Sequence, residues 1–275
     1  MDSPKLSIIT INLNNKAGLL KTIISVINQT ISDFEYIIID GGSTDGSVEL
    51  IEKYTYKITY WVSEPDKGIY NAMNKGIKIA SGEYCLFLNS GDWLVDNNVL
   101  NDFINAHLEH DIVSGNIQVN ENSQKKIIES PYNENLDFRV FYEGSLPHQS
   151  TFIKRELFNV HGLFNENYRI VADGEFFIKC LLIYNCTYSY FDRVISFFDI
   201  NGISSKPEMK SLADFEKELV FNTTIPVYYR SYKKLKDENI YFLSHENAYR
   251  EYISLKNGKF SILIKLLLFF KRIIK

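Results

Sequence analysis

Cysteine is scarce in this chain of 275 residues, which has three: Cys85, Cys180 and Cys186. An odd count without metal-ligand spacing argues against a disulfide framework and a cysteine metal centre. It reads as reduced core thiols of a cytosolic protein. Positive charge is also in short supply. A net charge of −4 lacks the electrostatic footprint of a nucleic-acid binder. MDSPK leads straight into an apolar strand, which reads as a chain without a secretory leader. The sequence contains neither an internal repeat nor a low-complexity linker. The 45% of hydrophobic residues suffices for one large core, or for one domain with an appendage.

The first ninety residues alternate in character. LSIITI at 6–11 reads as a buried strand, followed by a helix capped by Asn14 or Asn15, with Leu19, Leu20, Ile23, Ile24 and Ile27 on its apolar side. Tyr36–Ile39 is a second strand, ending in Asp40-Gly41-Gly42 before a helix start at Ser43-Thr44-Asp45. Ile58–Val62 is a third, ending in SEPDKG before a helix from about Ile69 to Ala80. Tyr84–Leu88 is a fourth. Such alternation predicts a parallel sheet with helices on both faces and right-handed crossovers. Beyond residue 92 the pattern turns α+β. A helix is expected at 97–109, strands at 112–119 and 150–154, a hairpin return at 126–128, a helix near 173–182, and two short strands within 187–199. From Glu208 onward only helices are expected.

Each of the first four strands ends in small or polar residues: Thr10 to Asn14, Asp40 to Ser43, Ser63 to Gly68, and Asn89 to Asp92. In a parallel sheet these ends share one edge, where ligands of open α/β sheets bind. Gly and Ser beside helix starts offer N–H groups to phosphates. FLNSGD at 87–92 is the most telling of the four, because an Asp next to a Gly at a strand end can hold a divalent cation against phosphate oxygens. Turn formation alone accounts for any one cluster, but less readily for four in succession.

The ordered set SIITINLNN, IIIDGGSTDGS, SEPDKGIYNAMNKGIKIASG, FLNSGD, HQSTFIKRELF and VADGEFFIKCL covers about residues 5–200. It resembles glycosyltransferase family 2, with the α/β GT-A fold: a Rossmann-like, mostly parallel sheet flanked by helices. The long SEPDKGIYNAMNKGI run is similar to a subgroup that builds bacterial surface polysaccharides. The resemblance implies a transferase domain at 1–205, with a nucleotide-binding half (1–95) and an acceptor half (96–205), and a helical extension at 206–275. It implies that Thr10, Asn12 and Leu13 line the nucleoside pocket, that Asp40 reads the base, commonly uracil, and that Asp66 and Asn74 pack against the nucleoside and donor sugar. Gly41 stands where many members have a second Asp. Asn89, Ser90 and Gly91 occupy the D-x-D position, leaving Asp92 as its one carboxylate and the expected ligand of Mg²⁺ or Mn²⁺. Asp173 is implied as general base with Glu175 as fallback, and His148 as a contact to acceptor or diphosphate. Trp93 could stack on a sugar, and Phe141, Tyr132 and Tyr142 could meet an acceptor, but packing is the favoured reading of all four.

The implied reaction is an inverting transfer from a nucleotide-diphosphate sugar, a UDP-sugar first, to a hydroxyl of a glycan or lipid-linked acceptor. Two rivals differ in class. A sugar-1-phosphate nucleotidylyltransferase would want a Gly-rich basic loop after the first strand, where this chain has INLNNKAG with a single Lys16. A degenerate, non-catalytic nucleotide-binding module is supported by the lost D-x-D carboxylates and opposed by Asp92 and Asp173. Residues 255–275 hold six basic and no acidic residues, against 24 basic and 34 acidic elsewhere. Their apolar stretch is broken by Lys265 and falls short of the ~20 apolar residues of a spanning helix. It suits a helix lying on the cytoplasmic face of an anionic membrane. The alternative is packing on the domain or on a homodimer partner.

Overall fold

The computed structural model describes residues 3–121, 124–131, 136–199, 202 and 207–244. The first half alternates as its sequence predicts: β1 (Leu6–Asn12), α1 (Lys16–Ile27), β2 (Phe34–Asp40), α2 (Ser47–Lys53), β3 (Tyr60–Ser63), α3 (Ile69–Ile79) and β4 (Tyr84–Phe87). Then follow β5 (Trp93–Leu94), α4 (Val99–Asn105), β6 (Ile112–Glu121), β7 (Gln124–Ile128), α5 (Phe138–Glu143), β8 (Thr151–Lys154), α6 (Glu156–His161), α7 (Ala172–Ile178), β9 (Tyr188–Phe197), α8 (Lys210–Thr224) and α9 (Pro226–Ser244). One sheet runs β3-β2-β1-β4-β8-β6-β9-β5, with β7 paired to β6. The β3, β2, β1 and β4 ladders are parallel, whereas β8 joins β4 antiparallel. The chain divides into two compact units at Thr224/Ile225. The described part of the second unit is α9, opened by Pro226, a residue suited to a first helical turn.

All of β1 is buried, as a central strand covered on both faces must be. Leu6 and Ile8 join Tyr36, Ile38, Tyr84 and Leu86 in the core under α1. Ile9 faces α3, where the absence of a side chain at Gly76 lets the helix settle on it; a Cβ there would lie 2.5 Å from Ile9 Cγ2. An aromatic cluster of Phe87, Phe158, Phe164 and Phe176 fills the space toward α6 and α7. On α1 the inward residues are Leu19, Thr22, Ile23 and Val26, the i, i+3, i+4, i+7 stripe. Leu20 and Ile24, expected inward, are exposed. Thr22 takes an inward place because its hydroxyl is bonded, donating to the Asp92 carbonyl at 2.7 Å and accepting from Gly91 N–H at 3.0 Å.

Two elements differ from expectation in the second half. Residues 188–197 form one strand, β9, instead of two short ones. Its register on β6 jumps between Ser114 and Ile117, and that irregularity breaks the alternation the sequence displays. Gly115 permits the close approach, since a Cβ there would meet Ile195 Cγ1 at 2.5 Å and the Arg193 carbonyl at 2.8 Å. The two-residue β5 was not foreseen. It is held against β9 by Trp93, whose ring stacks on Phe197 at 3.8 Å, the packing role expected of it. Cys85 and Cys180 are buried and Cys186 partly so, all with free thiols.

At the end of the sheet opposite the polar clusters, Gly82 crosses β1 with no room for a side chain. A Cβ would lie 2.7 Å from the backbone at Leu6 and Ser7. Gly82→Ala is expected to destabilise the fold by about 1–3 kcal/mol through overpacking, read as a lower urea midpoint at unchanged m-value.

Candidate active site

The register places Asn12 beside Asp40 and Asp40 beside Ser63, so the expected edge exists. At its centre Asp40 is buried and accepts five hydrogen bonds. Oδ1 takes Asn12 Nδ2 (2.7 Å) and Ser43 Oγ (2.6 Å). Oδ2 takes Gly42 N–H (3.1 Å), Ser43 N–H (2.8 Å) and Ser63 Oγ (2.6 Å). Burial alone would raise this carboxyl, but the donors from Ser43, Ser63 and Asn12 overcome it and hold the group below its ordinary range. Leu13, next along the edge, is 55% exposed. Asp66 is half-buried and accepts the Gly68 N–H at 2.8 Å.

The FLNSGD turn is built by α1. Asn15 caps that helix through Gly18 N–H and sends its Nδ2 to the Ser90 carbonyl at 2.8 Å. Gly91 turns the chain at φ +111°, a conformation few side chains adopt. Asp92 is thereby tucked under, 4% exposed. Its carboxylate accepts the Asp199 N–H on Oδ1, at 3.0 Å. Burial with so few donors pushes it up to about 7. The Asn89 side-chain amide meets His148 Nε2 at 3.2 Å. Among the described residues no three His, Cys, Asp or Glu side chains gather as a metal-ligand set. What stands here is an under-satisfied carboxylate, a hard donor of the kind Mg²⁺ or Mn²⁺ prefers.

His148 links this turn to the second half. It begins a short 3₁₀ turn before β8, and its Nδ1 lies 2.8 Å from Asp173 Oδ2. Asp173 sits in the first turn of α7. Its Oδ1 receives the Tyr70 hydroxyl from α3 at 2.9 Å and its own neighbour's N–H, Gly174, at 2.9 Å. Burial opposes ionisation of both partners, but their mutual hydrogen bond and charge dominate. Asp173 is held below the usual carboxylate range and His148 above the usual imidazole value. Each side chain keeps 16% of its surface open, so the anion is paired yet reachable.

The family model for glycosyl transferase family 2 matches residues 7–161. This chain belongs to that family. It is 33% identical over 75% of its length to an uncharacterized glycosyltransferase of Mycobacterium tuberculosis (strain CDC 1551 / Oshkosh), covering 79% of that protein. It is 29% identical over 82% to a PGL/p-HBAD biosynthesis glycosyltransferase of Mycobacterium bovis (strain BCG / Pasteur 1173P2), covering 88% of it. Its fold is the GT-A fold, similar to S. aureus TarS 1-349 in complex with UDP-GlcNAc at TM-score 0.63 and 20% identity, covering 80% of this chain and 67% of that one. It spans 60% of the same protein solved with UDP.

Within this family 2 glycosyltransferase the edge gathers Asn12, Leu13, Asp40 and Asp66. The Asn89–His148–Asp173 chain of contacts ties the FLNSGD turn to the first turn of α7. Several expected roles change. Thr10 is fully buried, 3.2 Å from the Tyr36 hydroxyl, so its side chain does not line a pocket. Asn74 is 2% exposed and spends its amide on Phe164 N–H, the Phe164 carbonyl and Glu166. It fastens the loop ahead of α7 and does not face a donor sugar. Glu175 is buried and paired with Lys179 at 2.9 Å, which removes it as fallback base. Phe141 is buried and the Tyr142 ring stacks on Phe221, as favoured, whereas Tyr132 lies outside the described residues. Sequence reasoning missed Tyr70, although its helical spacing of four from Asn74 puts both on the buried face of α3. It missed Glu216 of α8, whose two carboxylate oxygens take the Arg169 and Ile170 N–H groups at 2.8 and 2.9 Å. It also missed Asp199, which no motif announces.

The ion pair predicts a pH dependence. In an unfolded chain Asp ionises near pH 4 and His near pH 6.5. The lowered Asp173 value adds stability above about pH 4 that is lost as pH falls through it, and the raised His148 value adds stability below about pH 6.5 that is lost as pH rises through it. The stability margin of wild type over His148→Gln in urea unfolding is therefore expected to peak between about pH 4 and 6.5. A margin that grows on the alkaline side would contradict the pairing.

Proposed function

We propose that this glycosyltransferase inverts the anomeric centre, taking its sugar from a nucleotide-diphosphate donor, a UDP-sugar first, and placing it on a hydroxyl of a glycan or lipid-linked acceptor in surface polysaccharide synthesis. The observation that carries the reading is the Asp173 carboxylate, ionised, oriented by Tyr70 and His148, and still partly exposed. An inverting transfer needs one such carboxylate on the acceptor side. The acceptor oxygen bonds to the anomeric carbon as its proton passes to Asp173. The bond from that carbon to the diphosphate oxygen breaks, and the diphosphate leaves with the electron pair.

His148 and Tyr70 act on Asp173 by fixing its orientation, and the position of His148 against Asn89 sets the distance from base to FLNSGD turn. Asp92 would hold Mg²⁺ or Mn²⁺, which would supply positive charge to the leaving diphosphate. Peripheral contact with the cytoplasmic face of a membrane would fall to residues 255–275, which lie outside the described residues. Their support is the basic, apolar sequence, and no helix among the described residues is long and apolar enough to cross a membrane.

Asp173→Asn keeps the size of the side chain and removes the base. It is expected to lower kcat by about 10²–10⁴-fold while leaving intact the rise in Tm that UDP produces. Unchanged turnover sinks the base assignment. Absence of a Tm shift with any nucleoside diphosphate, with or without Mn²⁺, sinks the donor reading. Asp92→Asn is expected to remove the Mn²⁺-dependent part of that shift and leave the Mn²⁺-independent part.

A further inference from the structure

Asp40, the residue that the family resemblance assigns to the base, has no capacity left. Its two oxygens carry about four lone-pair sites, and five donors from Asn12, Gly42, Ser43 and Ser63 already fill them. None of its surface is exposed. A ligand N–H could reach it only by displacing one of these donors, at the cost of a hydrogen bond already made.

A second carboxylate stands immediately beside it. A Cβ on Gly41 would lie 2.5 Å from Asp66 Oδ2 and 3.3 Å from Leu13 Cδ1. The bare glycine is thus what lets Asp66 reach the end of β2, and a side chain at 41 would evict it. The Gly68 N–H fixes Asp66 through Oδ1, while Oδ2 has no hydrogen bond to the described residues. Across the same glycine, Leu13 presents an exposed apolar side chain. An anchored carboxylate with one unclaimed oxygen, facing an exposed leucine, suits a flat heteroaromatic ring that offers one N–H at its edge.

We propose that Asp66, in place of Asp40, reads the donor base, accepting the ring N–H of a nucleoside diphosphate such as UDP on Oδ2 while Leu13 covers the ring face. The inference rests on the donor reading above and adds the residue that sets base choice. Asp40 then serves as the organiser of the loop at 41–43, and Gly41 is the substitution that makes room for Asp66.

The test is titration of the full chain with UDP, GDP, CDP and ADP, for wild type, Asp66→Asn and Gly41→Ala. Wild type should prefer UDP or GDP, whose rings carry the N–H, over CDP or ADP, whose rings do not. Asp66→Asn keeps the shape but offers an amide N–H in addition to its oxygen. It should weaken UDP at least tenfold and shift the UDP/CDP ratio toward CDP. Gly41→Ala should weaken UDP comparably by displacing Asp66, with every charge retained. A wild type that prefers ADP or CDP, or an Asp66→Asn variant that binds UDP within twofold of wild type, overturns the inference while leaving the donor reading intact. A wild type that binds none of the four overturns both.

Discussion

A buried carboxylate must find donors, and that requirement organises this molecule. Glu35, Asp40, Asp92, Glu175 and Glu216 are all buried. An isolated ionised carboxylate in such surroundings is costly, so each is paired, hydrogen-bonded or pushed toward its neutral form. Glu35 accepts from Ser7, Ser81 and Gly82, joining β2 to β1 and to the turn before β4. Glu216 grips two backbone N–H groups ahead of α7. Asp40 is saturated by five donors. These three are solved problems of folding. Asp92 is different, since its few backbone donors among the described residues leave it pushed up to about 7, a charge they do not fully satisfy. The count of donors separates carboxylates saturated by the fold from one that is not.

Asp173 lies between those limits. Its partners come from three separate parts of the chain: Tyr70 from α3, His148 from the turn before β8, and Gly174 from its own helix. Each is held in turn. Tyr70 also reaches the Ile170 carbonyl at 2.7 Å, and Ile170 is the residue whose N–H Glu216 holds. His148 touches Asn89, and Asn89 belongs to the turn that Thr22 and Asn15 lock to α1. Asp173 is therefore positioned by both halves of the transferase fold, and a change in either is felt at one carboxylate.

Much of this was legible in the chain. Strand and helix alternation up to β4, the polar strand ends, and the ordered motifs from SIITINLNN to VADGEFFIKCL identified the architecture and the edge, because local hydrophobic period and turn chemistry are properties of neighbouring residues. Less legible were features that depend on remote partners. The β6 and β9 register jump breaks the alternation that would have announced one strand. Thr22 looks like a polar interruption of an apolar helix face until its bond to Asp92 is known. Asn74 looks like a ligand contact until Phe164 and Glu166 are seen to occupy it.

The residue sequence by itself determined the parallel β1–β4 core, the polar edge and the family, since these follow from apolar periodicity, glycine and Asx placement, and motif order. Tertiary structure alone decided which polar residues remain available. Asp40 and Asn74 are consumed by neighbours 2 to 92 positions away in the chain; Asp92 and Asp173 are not consumed. Hydrogen-bond capacity is finite, and only the folded arrangement shows how it has been spent.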